Sequence, residues 1–493
     1  MINHYFQKIQ NEDNPRTALS SLRQAIKDPA LKKSAYPLAL SHKEFLITLL
    51  SHEDAKTRKN AALLMGDFAI DNFAKPLFAQ YQKEEQLFVK SAYLTALSFM
   101  NYQEFLPDIK NILAQLESTS IPLENKKHIE SEIRCLSNLI VKEDGIDTHT
   151  FSGYSETYNC ILLTNRLHSQ ITADQIRYGK FESFPAGLKV STKNIRELLA
   201  IRTYRELLFV IPDISTCSNN PDDAATQIAN SKLLLFLQNI HEEHSPFHFR
   251  IDLKSKMPLD QKSNYTKKLA SALERVTNRQ LINSTSNYEI ELRLIENKSH
   301  TFNLLLKLYT LPDKRFHYRK EHLSVSIRPD TAALLVSLTK EYMQPNAQIL
   351  DPFCGVGTML IERQMLVKGN TSYGIDIHPE AIKKARINMQ NAGQIIHFVN
   401  KDMFSFTHEY LFDEIFTNMP FSMGTARQDE IYTIYENFCR KAKTLLKPDG
   451  IMILYSHNAD YLKKLSAQYH YQILANIKVM DIEGTSLLIL KNV

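Results

Sequence analysis

Two stretches hold residues whose types and spacing suit chemistry. ILDPFCGVGTMLIER, residues 349 to 363, sets an acid, Asp351, and a ring, Phe353, ahead of Gly355, Gly357 and Thr358. Glycine lets a backbone approach a ligand with no Cβ in the way. The pair does not complete a three-glycine dinucleotide fingerprint. A carboxylate there would repel a phosphate, so Asp351 favours a ligand with a cationic end. TNMPFSMG, residues 417 to 424, suits a planar amino group. The Asn418 side-chain carbonyl and the Pro420 main-chain carbonyl are acceptors for its two protons. Phe421 is placed to stack on the ring bearing the amine. Such an amine is conjugated and weakly nucleophilic, so positioning matters more than a strong base. No cysteine stands in this loop to attack a pyrimidine carbon.

Two more acids fall in series. Asp376 in YGIDIHPEA follows Asp351 by 25 residues, near the distance at which nucleotide-binding sheets set a carboxylate against ribose hydroxyls. Asp402 in NKDMF follows the next strand, where it can accept from an adenine amino group while Ile377 and Met403 cover the ring. Ammonium, ribose and adenine in succession describe S-adenosylmethionine. Each acid taken alone is equally a helix N-cap.

These residues need strand ends to hold them. AQILDPF, TSYGIDI, IIHFVN, EIFTNMP, GIMILYS and LLILKNV read as strands, separated by the helical TMLIERQMLV, PEAIKKARINMQNAG and IYTIYENFCRKAKTLL. That alternation predicts a parallel, doubly wound sheet with its ligand at the carboxyl ends of the strands. Residues 1 to 148 instead read as helix, with apolar residues at three- and four-residue spacing. KNAAL at 59 to 63 repeats as KSAYL at 90 to 94, an offset of 31 residues, which suggests a short HEAT-like solenoid. From 149, strand-like runs such as YNCILLT, RELLFVIP, FHFRIDLK and TFNLLLKLYTL alternate with helical segments. This predicts an α+β region. Basic residues in YTKKLASALERVTNR and LPDKRFHYRK could share one surface.

DPFCGVGT, GIDIHPEA, NKDMF and TNMPF together resemble an amino-group methyltransferase of the Rossmann-like class. DKRFHYRKEHLSVSIRPDTAALLVSL is similar to the segment leading into the catalytic domain of THUMP-containing RNA guanine-N2 methyltransferases, with Tyr318, Arg319, Ser326, Ile327, Arg328, Pro329 and Ala332 on that pattern. The resemblance covers roughly residues 150 to 493 and implies a ferredoxin-like domain at 149–215, a THUMP-like RNA-binding domain at 216–325 and a Rossmann-like methyltransferase domain at 326–493; with the all-α HEAT-like region read from the repeat at 1–148, a multidomain chain is expected. The resemblance implies a donor pocket at Phe353, Gly355, Gly357, Asp376 and Asp402, to which the residue chemistry adds Asp351, Ile377 and Met403, with Thr358, Ser326 and Arg328 expected beside them. The target amine would lie at Asn418, Pro420 and Phe421, and RNA at Arg315, Arg319 and Lys320. It selects guanine N2 in RNA, tRNA before rRNA; the residues by themselves equally allow adenine N6 of DNA or RNA, or a protein glutamine. A non-catalytic RNA-binding scaffold is the alternative of another class. The sequence departs from the family at Ser422, where glycine is usual and comes only at Gly424. The N-terminal helices also lie outside the usual THUMP architecture, and are expected to dock a protein partner or extend the RNA surface.

Composition bounds these readings. A chain of 493 residues needs two to four domains. With 43% hydrophobic and 23% charged residues it is globular rather than disordered. A net charge of +5 permits a polyanionic partner without requiring one. Five cysteines with no CxxC pair argue against a disulfide framework or a zinc site and for a reducing compartment. The N-terminus lacks the apolar core of a secretory signal, and runs such as LLLFL are too short to cross a bilayer. The expectation is a cytoplasmic protein with no metal and no membrane contact.

Overall fold

The computed structural model describes residues 2–11, 15–118, 122, 124–146, 148–421, 428–480 and 484–493. The chain forms two compact units, Met1–Asp147 and Thr148–Val493.

The first unit is helical. Asp54 starts the helix Ala55–Phe68 by accepting from the Thr57 amide at 2.8 Å, an N-cap that satisfies one of the free amides of a first turn. That helix packs on Leu87–Leu97, which packs in turn on Lys126–Asp144. The 31-residue offset therefore superposes two helices that touch, since Lys59–Leu63 and Lys90–Leu94 lie within them. Arg58 grips Glu84 at 2.6 Å, a carboxylate almost wholly buried.

The second unit opens with a nine-stranded sheet. Tyr158–Leu163 lies between Gly187–Thr192 and Glu206–Phe209, and Gly179–Phe184 forms the outer edge. Phe302–Leu308, Ile290–Glu296, Phe247–Lys254 and Leu281–Asn283 follow in that order, and the short ninth strand, Thr216–Cys217, pairs with Phe302–Leu308 beside this path. A boundary at 215 was expected to separate two folds. It does not separate two sheets, because Phe209 pairs with Leu306 and carries one ladder across it. One core runs beneath both parts, from Cys160 and Leu162 to Leu292, Leu294 and Leu306.

A second, seven-stranded sheet holds the predicted motifs. In chain order its strands are Gln348–Asp351, Thr371–Asp376, His397–Asn400, Phe412–Asn418, Leu446–Ser456, Tyr471–Lys478 and Ser486–Asn492. In space they run third, second, first, fourth, fifth, seventh, sixth. Neighbours among the first five are parallel, but the seventh runs antiparallel to both the fifth and the sixth. The sheet is thus mixed rather than wholly parallel, and it contains an unpredicted sixth strand. Alternate residues feed two cores, one on each face. Ile349, Phe416, Ile453 and Ile489 pack on one side, and Leu350, Ile415, Leu454 and Leu490 on the other. Helices must cover both faces of such strands. The order reverses between the first and fourth strands, where sheets of this kind open a crevice.

The two sheets of this unit are tied together. Arg202 grips Glu362 through two bonds of 2.7 and 2.9 Å, and the Tyr318 hydroxyl donates to the same carboxylate at 2.6 Å. Asn165 donates to the Val479 carbonyl at 2.9 Å. No helix among the described residues is long and apolar enough to cross a membrane.

Candidate active site

The crevice begins at the end of the first strand. Gly355 and Gly357 both have positive φ, at 52° and 81°, where a side chain is strained. Their surroundings differ. A Cβ on Gly355 would meet nothing within 4 Å, whereas one on Gly357 would lie 2.6 Å from the Phe398 ring. Gly355 therefore presents backbone to open space, and Gly357 serves packing rather than ligand approach. Thr358 begins the helix Thr358–Leu366, its hydroxyl buried and without a partner. Phe353 leans on Phe438, ring centres 5.9 Å apart.

Asp351 is fully buried. One carboxylate oxygen accepts from the Thr417 hydroxyl at 2.6 Å and from the Phe353 amide at 3.1 Å; the other has no partner. Burial pushes its pKa up to about 7, because a charge without water or a counter-ion is costly. Asp351 thus lies sealed behind the turn, with no solvent-facing oxygen. The Thr417 bond also clasps the first strand to the fourth at the point where the strand order reverses.

The other acids sit at successive strand ends as expected, already engaged. Asp376 accepts from the Gly355 amide and the His378 amide, both at 2.9 Å, so it braces the glycine turn from the second strand. Asp402 caps a short 3-10 turn by accepting from the Phe404 amide at 3.2 Å. Ile377 is 62% exposed, but Met403 is buried in the core and offers no open surface to a ring.

The fourth strand delivers the second motif. The side-chain carbonyl of Asn418 is buried and has no hydrogen-bond partner. The Pro420 carbonyl is not free, since the Tyr435 hydroxyl donates to it at 2.8 Å. Phe421 is exposed, its ring 4.4 Å from that of His457 at the end of the fifth strand. Ser422 and Gly424 lie outside the described residues.

Residues 317–480 match the family model UPF0020, RMKL-like, methyltransferase domain. The chain carries a methyltransferase domain. S-adenosylmethionine is the cofactor of that domain. A 230-residue stretch is 23% identical to a ribosomal RNA large subunit methyltransferase K/L of Buchnera aphidicola, covering 37% of this chain and 32% of that protein. Another of 115 residues is 31% identical to a tRNA (guanine(10)-N2)-dimethyltransferase of Pyrococcus abyssi, covering 22% of this chain and 33% of that one. The chain thus spans about a third of the length of these curated relatives. A crystal structure described as a predicted N6-adenine-specific DNA methylase from Listeria monocytogenes shares the fold. Its TM-score is 0.50 at 14% identity, over 69% of this chain and 97% of that one.

The methyltransferase domain fits its cofactor at the glycine turn. Open space faces the Gly355 backbone, and the Asp351 carboxylate and the Thr358 hydroxyl are buried short of partners. Among the described residues no group of three or more His, Cys, Asp or Glu side chains is placed to hold a metal.

The segment entering the methyltransferase domain differs from expectation. Arg315 was expected to face RNA, but it is buried. Its guanidinium bonds to Asp313 and to the carbonyls of Ile201 and Tyr204, and stacks 3.7 Å from the Tyr204 ring. Arg319 donates to the Ile327 carbonyl at 3.1 Å, and burial lowers its pKa. Only Lys320 of the three is exposed. Arg328 is exposed but pairs with Asp330 at 2.9 Å, and the Ser326 hydroxyl oxygen accepts from the Leu323 amide at 3.0 Å. Both side chains are thus engaged within their own segment.

Sequence reasoning missed the supports beneath the motifs. Arg363 and Glu414 form a fully buried pair at 2.7 Å, fastening the helix after the glycine turn to the strand that ends in Asn418. Arg363 is the last residue of the first motif, so the pair was on view as a charge in an apolar run. Tyr435, Ser456 and His457 carried no such signal.

Proposed function

We propose that this domain methylates the N2 amino group of guanine in RNA, tRNA in preference to rRNA. The observation that carries the reading is the buried, unpartnered side-chain carbonyl of Asn418 at the crevice, with the exposed Phe421 ring three residues on. A buried acceptor without a donor costs about 1–3 kcal/mol, and a substrate N–H removes that cost on binding. Guanine and RNA are chosen over adenine by the resemblance and by what the two curated relatives are named for.

When bound, S-adenosylmethionine supplies a methyl group made electrophilic by its sulfonium. Asp351, through its charge, and the Gly355 backbone hold the cationic end, with Asp376, Ile377 and Asp402 toward the ribose and adenine. Asn418 accepts one amine hydrogen and Pro420 the other, which turns the nitrogen lone pair toward the donor. Phe421 stacks on the base. An amide oxygen is too weak a base to keep a proton, so the proton lost on methylation passes to water. Catalysis is chiefly positioning.

In the same reading, residues 149–215 are ferredoxin-like and 216–325 a THUMP-like RNA-binding part, which the shared nine-stranded sheet would hold as one surface. Residues 1–148 are a HEAT-like stack for a protein partner or more RNA. All five cysteines are free, which suits a cytoplasmic location. Nucleoside mass spectrometry of tRNA and rRNA from cells lacking the protein tests this reading. Loss of N2-methylguanosine at one tRNA position is expected. An unchanged N2-methylguanosine content in both RNAs would sink it.

A further inference from the structure

The loop after the fourth strand rests on a hydrogen-bond chain whose direction can be deduced by counting protons. The Asn458 amide donates to the Ser456 hydroxyl oxygen at 2.9 Å. Ser456 and Tyr435 hydroxyls lie 2.9 Å apart, and the Tyr435 hydroxyl is 2.8 Å from the Pro420 carbonyl. A carbonyl only accepts, so the single proton of Tyr435 is committed to Pro420. Ser456 must then donate to Tyr435, and the chain runs one way, from Asn458 through Ser456 and Tyr435 to Pro420. Tyr435 and Ser456 are both buried. Burial raises the Tyr435 pKa, which keeps the donating proton in place.

The two acceptors proposed for the target amine are therefore unlike. Asn418 has an unoccupied carbonyl; Pro420 has one lone pair taken and one left. The residue whose hydroxyl takes that lone pair comes from the helix Gln428–Ala442, beyond the loop itself. Its partner Ser456 ends the fifth strand. The carbonyl is thus pinned from a helix and a strand, independently of where the following loop residues lie.

We propose that Tyr435 is a positioning residue for methyl transfer, fixing the Pro420 carbonyl so that its remaining lone pair receives the second amine hydrogen. This rests on the reading of Asn418 and Pro420 as the amine's acceptors. Loss of the hydroxyl leaves the ring packing in place but frees the carbonyl to turn, so the effect falls on the rate and not on donor binding.

The test compares wild-type protein with Tyr435→Phe, Ser456→Ala and the double variant. Labelled methyl transfer to bulk tRNA is read as kcat and KM, with donor Kd by calorimetry and a melting curve. Tyr435→Phe is expected to lower kcat about tenfold, the size of one lost hydrogen bond expressed as a rate. KM and donor Kd are expected to stay within about twofold. Ser456→Ala should lower kcat less, and the double variant should lie close to Tyr435→Phe alone, because Ser456 reaches Pro420 through Tyr435. If Tyr435→Phe does not fold, the smaller Ser456→Ala change in kcat at constant donor Kd decides the matter. Unchanged kcat in the folded variants, or an equal loss of donor affinity, overturns the assignment while the proposed function stands. A wild-type protein that labels no RNA overturns that function and this assignment with it.

Discussion

Asp351 offers the sharpest quantitative test of the donor site. It is wholly buried and its pKa lies at about 7 against an ordinary 3.8. The folded state therefore holds a proton that the unfolded chain has already lost, and stability must fall as pH rises from about 4 toward 7. At about 1.4 kcal/mol per unit, the full difference is about 4 kcal/mol, of which roughly 2–3 kcal/mol lies between pH 5 and 8. Asp351→Asn removes the titration and keeps an oxygen to accept from Thr417 and Phe353. Urea unfolding at the two pH values should show the wild type losing roughly 2–3 kcal/mol relative to the variant. Comparison with the variant removes the opposite trend from His241 and His457, whose pKa values burial lowers. A cationic donor near Asp351 should pull its pKa down again and expel the proton. At pH 7 a group with that pKa is half protonated, so binding should release about half a proton. Calorimetry in two buffers of different ionisation enthalpy measures this directly, and donor affinity should rise from pH 6 to 7. Equal pH dependence in variant and wild type, with no proton release, would show that Asp351 is not the titrating charge of the site.

Three further outcomes follow from the geometry. Asn418→Ala should cut turnover by at least a hundredfold while donor Kd, read by calorimetry, barely moves; parallel loss of both would make Asn418 structural. Asp376→Ala removes the brace on the Gly355 amide and should weaken donor binding by about 1.5–3 kcal/mol, as for hydrogen bonds to a charged group; an unchanged Kd would exclude it from the pocket. Arg315→Ala should lower the unfolding free energy in urea by about 1.5–3 kcal/mol, as for hydrogen bonds to a charged group, and leave the salt slope of RNA binding alone. Lys320→Ala should do the reverse and reduce that slope by about one.

The motif-bearing parts of the fold were legible because their signals are local. Ile349, Leu350, Ile415 and Phe416 are continuous apolar runs, as strands buried on both faces must be, and the acids fall where those runs stop. Several strands were not legible, Tyr471–Lys478 and Ile290–Glu296 among them. Tyr471–Lys478 is an edge strand whose apolar Ile473 and Leu474 are exposed, so its sequence does not alternate between core and solvent. Ile290–Glu296 alternates apolar and charged residues, but its Glu291 and Arg293 are buried in ion pairs at 2.6 Å rather than solvated. The side-chain roles were harder to see. That Arg315 points inward depends on the carbonyls of Ile201 and Tyr204, more than a hundred residues away. The split between Gly355 and Gly357 depends on Phe398, which only the folded sheet brings near. Tyr435 is one tyrosine among many until Pro420 is seen beneath its hydroxyl.

The most direct test of the central claim is methyl transfer from labelled S-adenosylmethionine to purified tRNA, rRNA, DNA and protein, with the labelled product identified by mass spectrometry. The account expects label in tRNA as N2-methylguanosine, abolished by Asn418→Ala. Label in N6-methyladenine or in methylglutamine, or none in any nucleic acid, would contradict it.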